Sequence, residues 1–462
     1  MWAEEKSPRR TALGPAAVVI GSVLACAAAC HRAGDAPVGL EAAVAAPGDS
    51  EGPPQASAVL AARCRALDSP VAIDEANATE LELGDMVSTS DAYALGAVHR
   101  TAVGRVAAVM SIPRALDRAS RPEGSSDKPT WLDLAPTLGD APPPRLVSRV
   151  GGSALVVAAY LRGGLDRGTA RNLALYKLAS AAPSGAPPPP FLVVQQQHDD
   201  SLAFDLAFAG PSGVVVWDEG AAPSRGVIRA LSLEGDAGAA GAHDVSPPES
   251  DAELPRVVAD GSGFVAIWIA RKAEPGHAAD GAEPEAPGEP RSFGWLESVR
   301  LDARGAPTGA VRSLTPASGH VSAYDVAALA TPARALLVVA RDDGESVDGS
   351  GGALVRVRIV ADVPEPPVEF QSDGLGRGAP ALVEGPSSFL AWVGPGEQGR
   401  LLALDRSGAP LGPPSAEETL NDARPLRVLD ALDASASPGA ARMLVAASSG
   451  ATTTLRVLAC QR

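Results

Sequence analysis

A nine-residue pattern, Leu301-Asp302-Ala303-Arg304-Gly305-Ala306-Pro307-Thr308-Gly309, returns as Leu404-Asp405-Arg406-Ser407-Gly408-Ala409-Pro410-Leu411-Gly412. Each copy closes an alternating strand with a Gly/Pro-rich turn, and each follows an apolar run that carries a tryptophan, GFVAIWIARK or SFLAWVGPG. A fainter copy, Leu233-Glu234-Gly235-Asp236-Ala237-Gly238, follows GVVVWDEG. One such β-unit cannot bury its apolar faces alone, so repetition dictates an array of stacked units. Seven apolar runs bounded by turn residues mark the array: DAYALGAVHR, SALVVAAYLR, GVVVWDEG, GFVAIWIARK, ALLVVARDD, SFLAWVGPG and ARMLVAASSG. Their uneven spacing fits a repeat with loop insertions better than a fixed solenoid period.

Within each unit an upstream strand (SLAFDLAFAG, ELPRVVAD, SAYDVAALA) precedes the run, and an alternating third strand follows it. In ALVRVRIV, Val355, Val357 and Ile359 face one way while Arg356 and Arg358 face the other. Continuous apolar strands need cover on both faces, whereas alternating ones have a wet side. A radial blade has this gradient from inside to outside. The expectation is therefore an all-β chain folded as a single β-propeller of seven blades, with six or eight as neighbouring possibilities. Two β-sandwiches fit less well, because they would show shorter strand spacing and a linker in mid-chain. Trp217, Trp268 and Trp392 fall at equivalent second-strand positions and are assigned to packing between blades. The segment EPGHAADGAEPEAPGEP reads as an insertion at a hairpin, and SGAPPPPF as a loop.

Closure follows from counting strands. The last unit supplies only PLRVLDALD, ARMLVAASSG and ATTTLRVLAC, so CRALDSPVAID near the start is free to supply the fourth strand. That places Cys64 beside Cys460, and in an oxidising compartment the two should form a disulfide.

The N-terminus reads as an export signal. Lys6, Arg9 and Arg10 precede the uncharged run TALGPAAVVIGSVLA, which is too short and interrupted for a membrane span of about 20 apolar residues. The run ends in small residues and cysteine, and this resembles the lipobox of bacterial lipoproteins. The resemblance implies cleavage before a cysteine and a lipid on its sulfur, at Cys26 or Cys30. Val23, three residues upstream, favours Cys26; parity favours Cys30, which leaves two mature cysteines to pair. Residues 1–30 are assigned to the signal and lipobox, 31–58 to a tether rich in Ala, Gly, Pro and acids, and 59–462 to the propeller.

Chemistry is sparse in the linear sequence. A net charge of −16, from 39 basic and 55 acidic residues, excludes the basic face that nucleic acid requires. The six histidines show no metal-ligand spacing; His198-Asp199-Asp200 reads as a solvated turn. There is no G-x-S-x-G elbow, and Ser125-Ser126-Asp127-Lys128 matches S-x-x-K without its partner motifs. The acidic loop Asp342-Asp343-Gly344-Glu345-Ser346-Val347-Asp348-Gly349 could offer oxygens to calcium, but its spacing departs from the known pattern and it is assigned to solvation. No catalytic, metal or cofactor residues are expected.

The repeats, lipobox and composition together resemble the β-propeller lipoproteins of GC-rich Gram-negative bacteria, the myxobacterial group in particular, over roughly residues 85–460. The resemblance implies the fold and an envelope address, with outer-membrane residence favoured because neither Ala27 nor His31 is the aspartate that retains lipoproteins inside. The functional expectation is a lipid-anchored module without catalysis that binds or scaffolds a protein partner, with glycan weakened by the aromatic content of 4%. The rival expectation is an extracytoplasmic propeller hydrolase or lyase acting on glycan or ester substrates.

Overall fold

The structure is a computed structural model that describes thirty strands and their adjoining turns between Arg63 and Gln461. Residues 1–62 and the longer connections, chiefly 114–128, 163–170, 196–202, 234–240, 273–292, 346–351 and 427–439, lie outside the described residues. Contacts divide the chain into Met1–Ser57 and Ala58–Arg462, and every described strand belongs to the second unit. No described helix is long and apolar enough to cross a membrane.

The strands form seven antiparallel sheets, numbered 1 to 7 here in chain order, in which sequence neighbours are spatial neighbours. Their first strands are Glu82–Ser88, Arg145–Ser148, Phe204–Ala209, Ser250–Asp260, Val321–Ala328, Ala381–Val383 and Ala423–Leu426. First strands of successive sheets lie against one another from sheet 1 to sheet 6, and that of sheet 7 lies against that of sheet 1. First strands are thus innermost and surround a common axis, which is the β-propeller arrangement.

Second strands explain why the sheets need each other. Gly263–Lys272, GFVAIWIARK, is buried over its first eight residues, so both of its faces are covered. The apolar clusters are interfaces between sheets: Leu206 and Val215 with Leu173 and Leu175, Val216 and Ile228 with Phe264 and Trp268, Ile267 and Ile269 with Val338 and Tyr324. Leu455 of sheet 7 joins Met86, Tyr93 and Met110 of sheet 1. Trp217, Trp268 and Trp392 stand in second strands, and each packs toward the preceding sheet. In the third strand Ala353–Val360, Val357 and Ile359 are buried and both arginines partly exposed as expected, but Val355 is only half-buried and Leu354, on the arginines' side, is buried, where the pairing register shifts.

The repeated nine-residue motif is the turn between third and fourth strands, and its hydrogen bonds are the same in both copies. Asp302 Oδ1 accepts from Arg304 N and Ala306 N at 2.8 and 2.9 Å; Asp405 Oδ1 accepts from Ser407 N and Ala409 N at 2.7 and 2.9 Å. Gly305 and Gly408 have φ of 79° and 76°, a region that L side chains enter at a cost, which explains the glycine. Both glycines rest on the preceding sheet. A Cβ on Gly305 would meet Ala230, and one on Gly408 would lie 3.0 Å from the Leu337 side chain. Arg356 of sheet 5 donates to Gly408 O at 2.8 Å. Sheet 5 uses a two-residue hairpin at Ala361 and Asp362 instead, both with positive φ, and Asp362 pairs with Arg300 of sheet 4. Three turns of two kinds therefore latch onto the sheet before them.

Sheet 7 is completed by the start of the chain, as strand counting requires. Arg63–Ala66 and Val71–Ile73 both pair with Thr452–Gln461.

Two predictions follow from these contacts. The register sets Cys64 directly opposite Cys460. Opposed antiparallel residues have Cα atoms about 4.5–5.5 Å apart, inside the roughly 4.4–6.8 Å that a disulfide spans. Non-reducing peptide mapping of the protein produced in an oxidising compartment should recover one crosslinked Cys64–Cys460 peptide; two free thiols would refute the pairing. The second concerns Asp405, whose burial opposes its charge but is outweighed by hydrogen bonds from Ser407 and Ala409 and by Arg356, so its carboxyl lies below its usual value. A depressed folded-state value contributes stability above the unfolded-state value and loses it as pH falls through the folded-state value. Asp405→Ala should cost about 1–3 kcal/mol in denaturant titrations at neutral pH. The gap to wild type should narrow in acid, below the usual carboxylate range; a gap that is constant with pH would contradict this account.

Candidate functional site

Charged side chains from successive first strands meet at the axis. Arg145 Nη1 of sheet 2 donates to Asp85 Oδ2 of sheet 1, and Arg256 Nη1 of sheet 4 stands 3.7 Å from that same oxygen. Sheets 1 and 4 are not neighbours, so Asp85 and Arg256 can face each other only across the middle of the ring. Arg145 has a side chain 20% exposed and Asp85 26%, so water reaches this pair, whereas Arg256 Nη1 is itself buried.

Backbone irregularity puts them there. In sheet 1, Leu83 pairs with Ala97 and Met86 with Leu95, which leaves Gly84 and Asp85 opposite Gly96 alone. In sheet 4, Glu253 pairs with Ile269 and Arg256 with Ile267, which leaves Leu254 and Pro255 opposite Trp268. Each is a β-bulge, a device that re-aims side chains. Gly96 also lets sheet 2 approach: a Cβ there would lie 1.9 Å from Pro144 O, the residue before Arg145.

Leu254 occupies φ 55°, unfavourable for an L residue by roughly 1–2 kcal/mol, and is held from both sides. Its N–H donates to Asp218 Oδ2 at 3.0 Å, while Asp218 Oδ1 accepts from Ala203 N at 2.9 Å. Its carbonyl lies 2.8 Å from the Tyr324 hydroxyl, which is also 2.7 Å from Ile267 O. Burial, the largest influence, keeps the Tyr324 hydroxyl well above its ordinary value, so it stays protonated and serves as a donor. The Arg256 guanidinium is raised too: burial, the largest influence, opposes its charge, but Asp85 and Asp205, with Tyr324, more than offset it. Arg256 Nη1 has no hydrogen-bond acceptor among the described residues.

Asp205 has a second duty, since its Oδ2 accepts from Val257 N of the next sheet at 3.0 Å. Asp325 Oδ2 does the same for Leu382 N at 2.7 Å. The two aspartates sit in matching tetrapeptides, Phe204-Asp205-Leu206-Ala207 and Tyr324-Asp325-Val326-Ala327. That repeat was visible in the sequence and marks a staple between sheets, one member of which also feels the axial arginine.

The residues singled out from sequence are distributed otherwise. Cys26, Cys30, His198-Asp199-Asp200 and Ser125-Ser126-Asp127-Lys128 lie outside the described residues. In the acidic loop, Asp342 Oδ1 accepts from His320 N and Gly344 N, and Asp343 Oδ1 accepts from Arg341 Nε at 2.6 Å, so both carboxylates are engaged within the protein. Among the described residues no group of three or more His, Cys, Asp or Glu is placed to hold a metal. A cleft of about 230 Å³ between sheets 4 and 5 is lined by Arg300, Thr308 and Asp362, but Arg300 is already paired with Asp260 and Asp362.

No family model and no curated protein matches the chain. Solved structures do. An α-L-arabinofuranosidase from Fusarium graminearum is 10% identical with a TM-score of 0.40, covering 69% of this chain and 92% of its own. Polysaccharide lyase Uly1 is 9% identical with a TM-score of 0.47, covering 85% and 99%. The catalytic domain of an α-L-arabinofuranosidase from Coprinopsis cinerea is 14% identical with a TM-score of 0.30, covering 57% and 92%. These likenesses concern the fold.

The expectation of a binding or scaffold module without catalysis is corrected at this point. The three solved structures reported above are named as enzymes, while others that the chain is similar to are neuraminidase-like proteins and a protein of unknown function. The physical reason for the error is the topology. That expectation leaned on missing linear motifs, whereas a propeller delivers polar groups to its axis one per sheet. Asp85, Arg145, Asp205 and Arg256 are separated by whole sheets in sequence and converge only in space.

Proposed function

We propose that the protein is an extracytoplasmic propeller enzyme, a hydrolase or lyase, that cleaves glycans at the axial cluster of Asp85, Arg145 and Arg256. The observation that carries this reading is the convergence of Arg145 and Arg256 on one water-accessible carboxylate from three different sheets. Arg145 orients Asp85. The Asp85 carboxylate supplies negative charge beside the sugar carbon at which positive charge develops during glycosidic cleavage. Glycan is preferred over ester because the axial groups are carboxylates, guanidinium groups and a phenol. Acyl transfer would require a nucleophilic hydroxyl or thiol beside a base.

Incubation with a panel of neutral and acidic polysaccharides should generate new reducing ends from at least one. Ultraviolet-absorbing unsaturated ends among the products would assign a lyase, and their lack a hydrolase. Asp85→Asn should lower kcat by roughly 10²–10⁴-fold while thermal unfolding stays cooperative. Turnover of nothing in the panel, or full turnover by a folded Asp85→Asn variant, would overturn the reading.

The enzyme is further proposed to work from the envelope, lipid-anchored through Cys26 or Cys30 and facing the periplasm or surface of the outer membrane. Two or three acyl chains give durable anchoring where one gives marginal binding. Expressed in a Gram-negative host, the protein should partition into detergent, and a variant with both cysteines changed to serine should partition into the aqueous phase. Unchanged partitioning of that variant would exclude the anchor.

A further inference from the structure

We infer that Phe293 is a stacking platform for one sugar ring of a glycan, with the Glu253–Arg271 pair beside it to take that ring's hydroxyl groups. The choice of a saccharide rests on the glycan reading of the axial cluster, to which the platform would add a second subsite on sheet 4.

The ring is both open and fixed. Phe293 is 50% exposed and stands directly before the third strand Gly294–Leu301. It stacks on His320, with ring centroids 5.1 Å apart and planes inclined by 30°. His320 stands directly before the first strand of sheet 5 and is 7% exposed, and neither of its ring nitrogens has a hydrogen-bond partner among the described residues. Burying such atoms unpaired costs free energy, so this imidazole is not placed for its hydrogen bonds. What it supplies is a face, which backs one side of the phenyl ring while the phenyl remains half open to solvent. The backbone is held on both sides of the stack. Gly294 N donates to Gly319 O at 2.8 Å, His320 N donates to Asp342 Oδ1 at 3.1 Å, and His320 O accepts from Asp343 N at 3.0 Å. An exposed ring already fixed in place loses little freedom when a ligand lies on it.

Polar groups stand beside it, at the end of the ring where first strands begin. Gly294 is paired with Arg271, and a Cβ on Gly294 would lie 3.3 Å from Arg271 Nη1, so the guanidinium rests against the residue next to Phe293. Arg271 Nε donates to Glu253 Oε1 at 2.7 Å, which orients the carboxylate. Glu253 is 35% exposed at its side chain, and its Oε2 has no partner among the described residues. A sugar ring has a face of C–H groups and a rim of hydroxyls. A phenyl face flanked by an oriented carboxylate matches both, with a charge-assisted hydrogen bond at the rim. A protein partner would call for a wider apolar patch. Phe191, Val193, Val363 and Val368, also exposed, stand at the outer strands of sheets 2 and 5 and do not extend the surface of Phe293. Glu253 and Arg256 share one first strand, three residues and about 10 Å apart, which ties the platform to the strand that carries an axial arginine.

The test is equilibrium binding by the full chain. Oligosaccharides of equal length, one of neutral pentose, one of neutral hexose and one of uronate units, are titrated calorimetrically, and at least one should bind saturably. Phe293→Ala should weaken that binding about 5- to 20-fold, and Phe293→Leu by a similar factor because it keeps apolar bulk without a flat face. Phe293→Trp should hold the affinity or raise it, and Glu253→Gln should lower it a few-fold. Thermal unfolding of the Phe293 variants should stay cooperative, because the side chain is half exposed. Undiminished binding by Phe293→Ala or by Phe293→Leu would overturn the inference. Binding of no oligosaccharide would overturn it too, and would leave a protein contact to account for the exposed ring. Binding that depends on Phe293, without cleavage of any polysaccharide, would keep the platform and remove the enzymatic reading; cleavage whose KM is unmoved by Phe293→Ala would do the reverse.

Discussion

Sheet 4 cannot stand alone, because its second strand is apolar on both faces. Gly263–Lys272 is covered on one side by sheet 3 and on the other by sheet 5. At about 25 cal/mol per Å² of apolar surface, exposing either face would remove several kcal/mol from a strand whose backbone gains are already used in its own ladder. The ring solves this problem by giving each of sheets 1 to 5 a neighbour on both sides. The tryptophans at Trp217, Trp268 and Trp392 set the spacing, each filling the gap to the preceding sheet. Large-to-small changes there would open cavities costing about 3–5 kcal/mol.

On this apolar frame, several polar contacts between sheets are directional. Asp205 and Asp325 accept an amide from the following sheet, while Gly305, Gly408 and Asp362 lean on the preceding one. The same aspartate type therefore does two jobs. In the turns it closes a local loop, and in the first strands it satisfies a neighbour's backbone amide that would otherwise lie unpaired near the axis. Asp205 shows how a structural staple and a candidate site share one residue, because its charge also acts on Arg256.

Much of this architecture is legible in the sequence, for physical reasons that differ by element. Continuous against alternating apolar strands report local cover, so the radial order of strands can be read from periodicity alone. Strand counting reaches closure by Arg63–Ala66, and the opposition of Cys64 and Cys460 with it. The axial cluster is not legible in this way. Asp85 and Arg256 owe their meeting to two bulges, and nothing in Glu82-Leu83-Gly84-Asp85 or Leu254-Pro255-Arg256 announces one. Gly84 and Pro255 are the only local hints, and both residue types have many other uses. What periodicity reports is cover; what the site depends on is register.

The latching turns give the ring a direction in time as well as in space. Each turn needs the sheet before it as a seat, so the order of synthesis is also the order in which seats become available. The exception is the strand at Arg63–Ala66, whose partner, Thr452–Gln461, is made last. The first described strand to emerge is therefore the last to pair, and it stays an unpaired edge while almost four hundred residues are laid down. A chain crossing a membrane in extended form would carry that edge into a compartment where other unpaired strands are exposed. Ring closure is in this sense a quality checkpoint: a truncated product leaves a sticky end, and only a complete one conceals it.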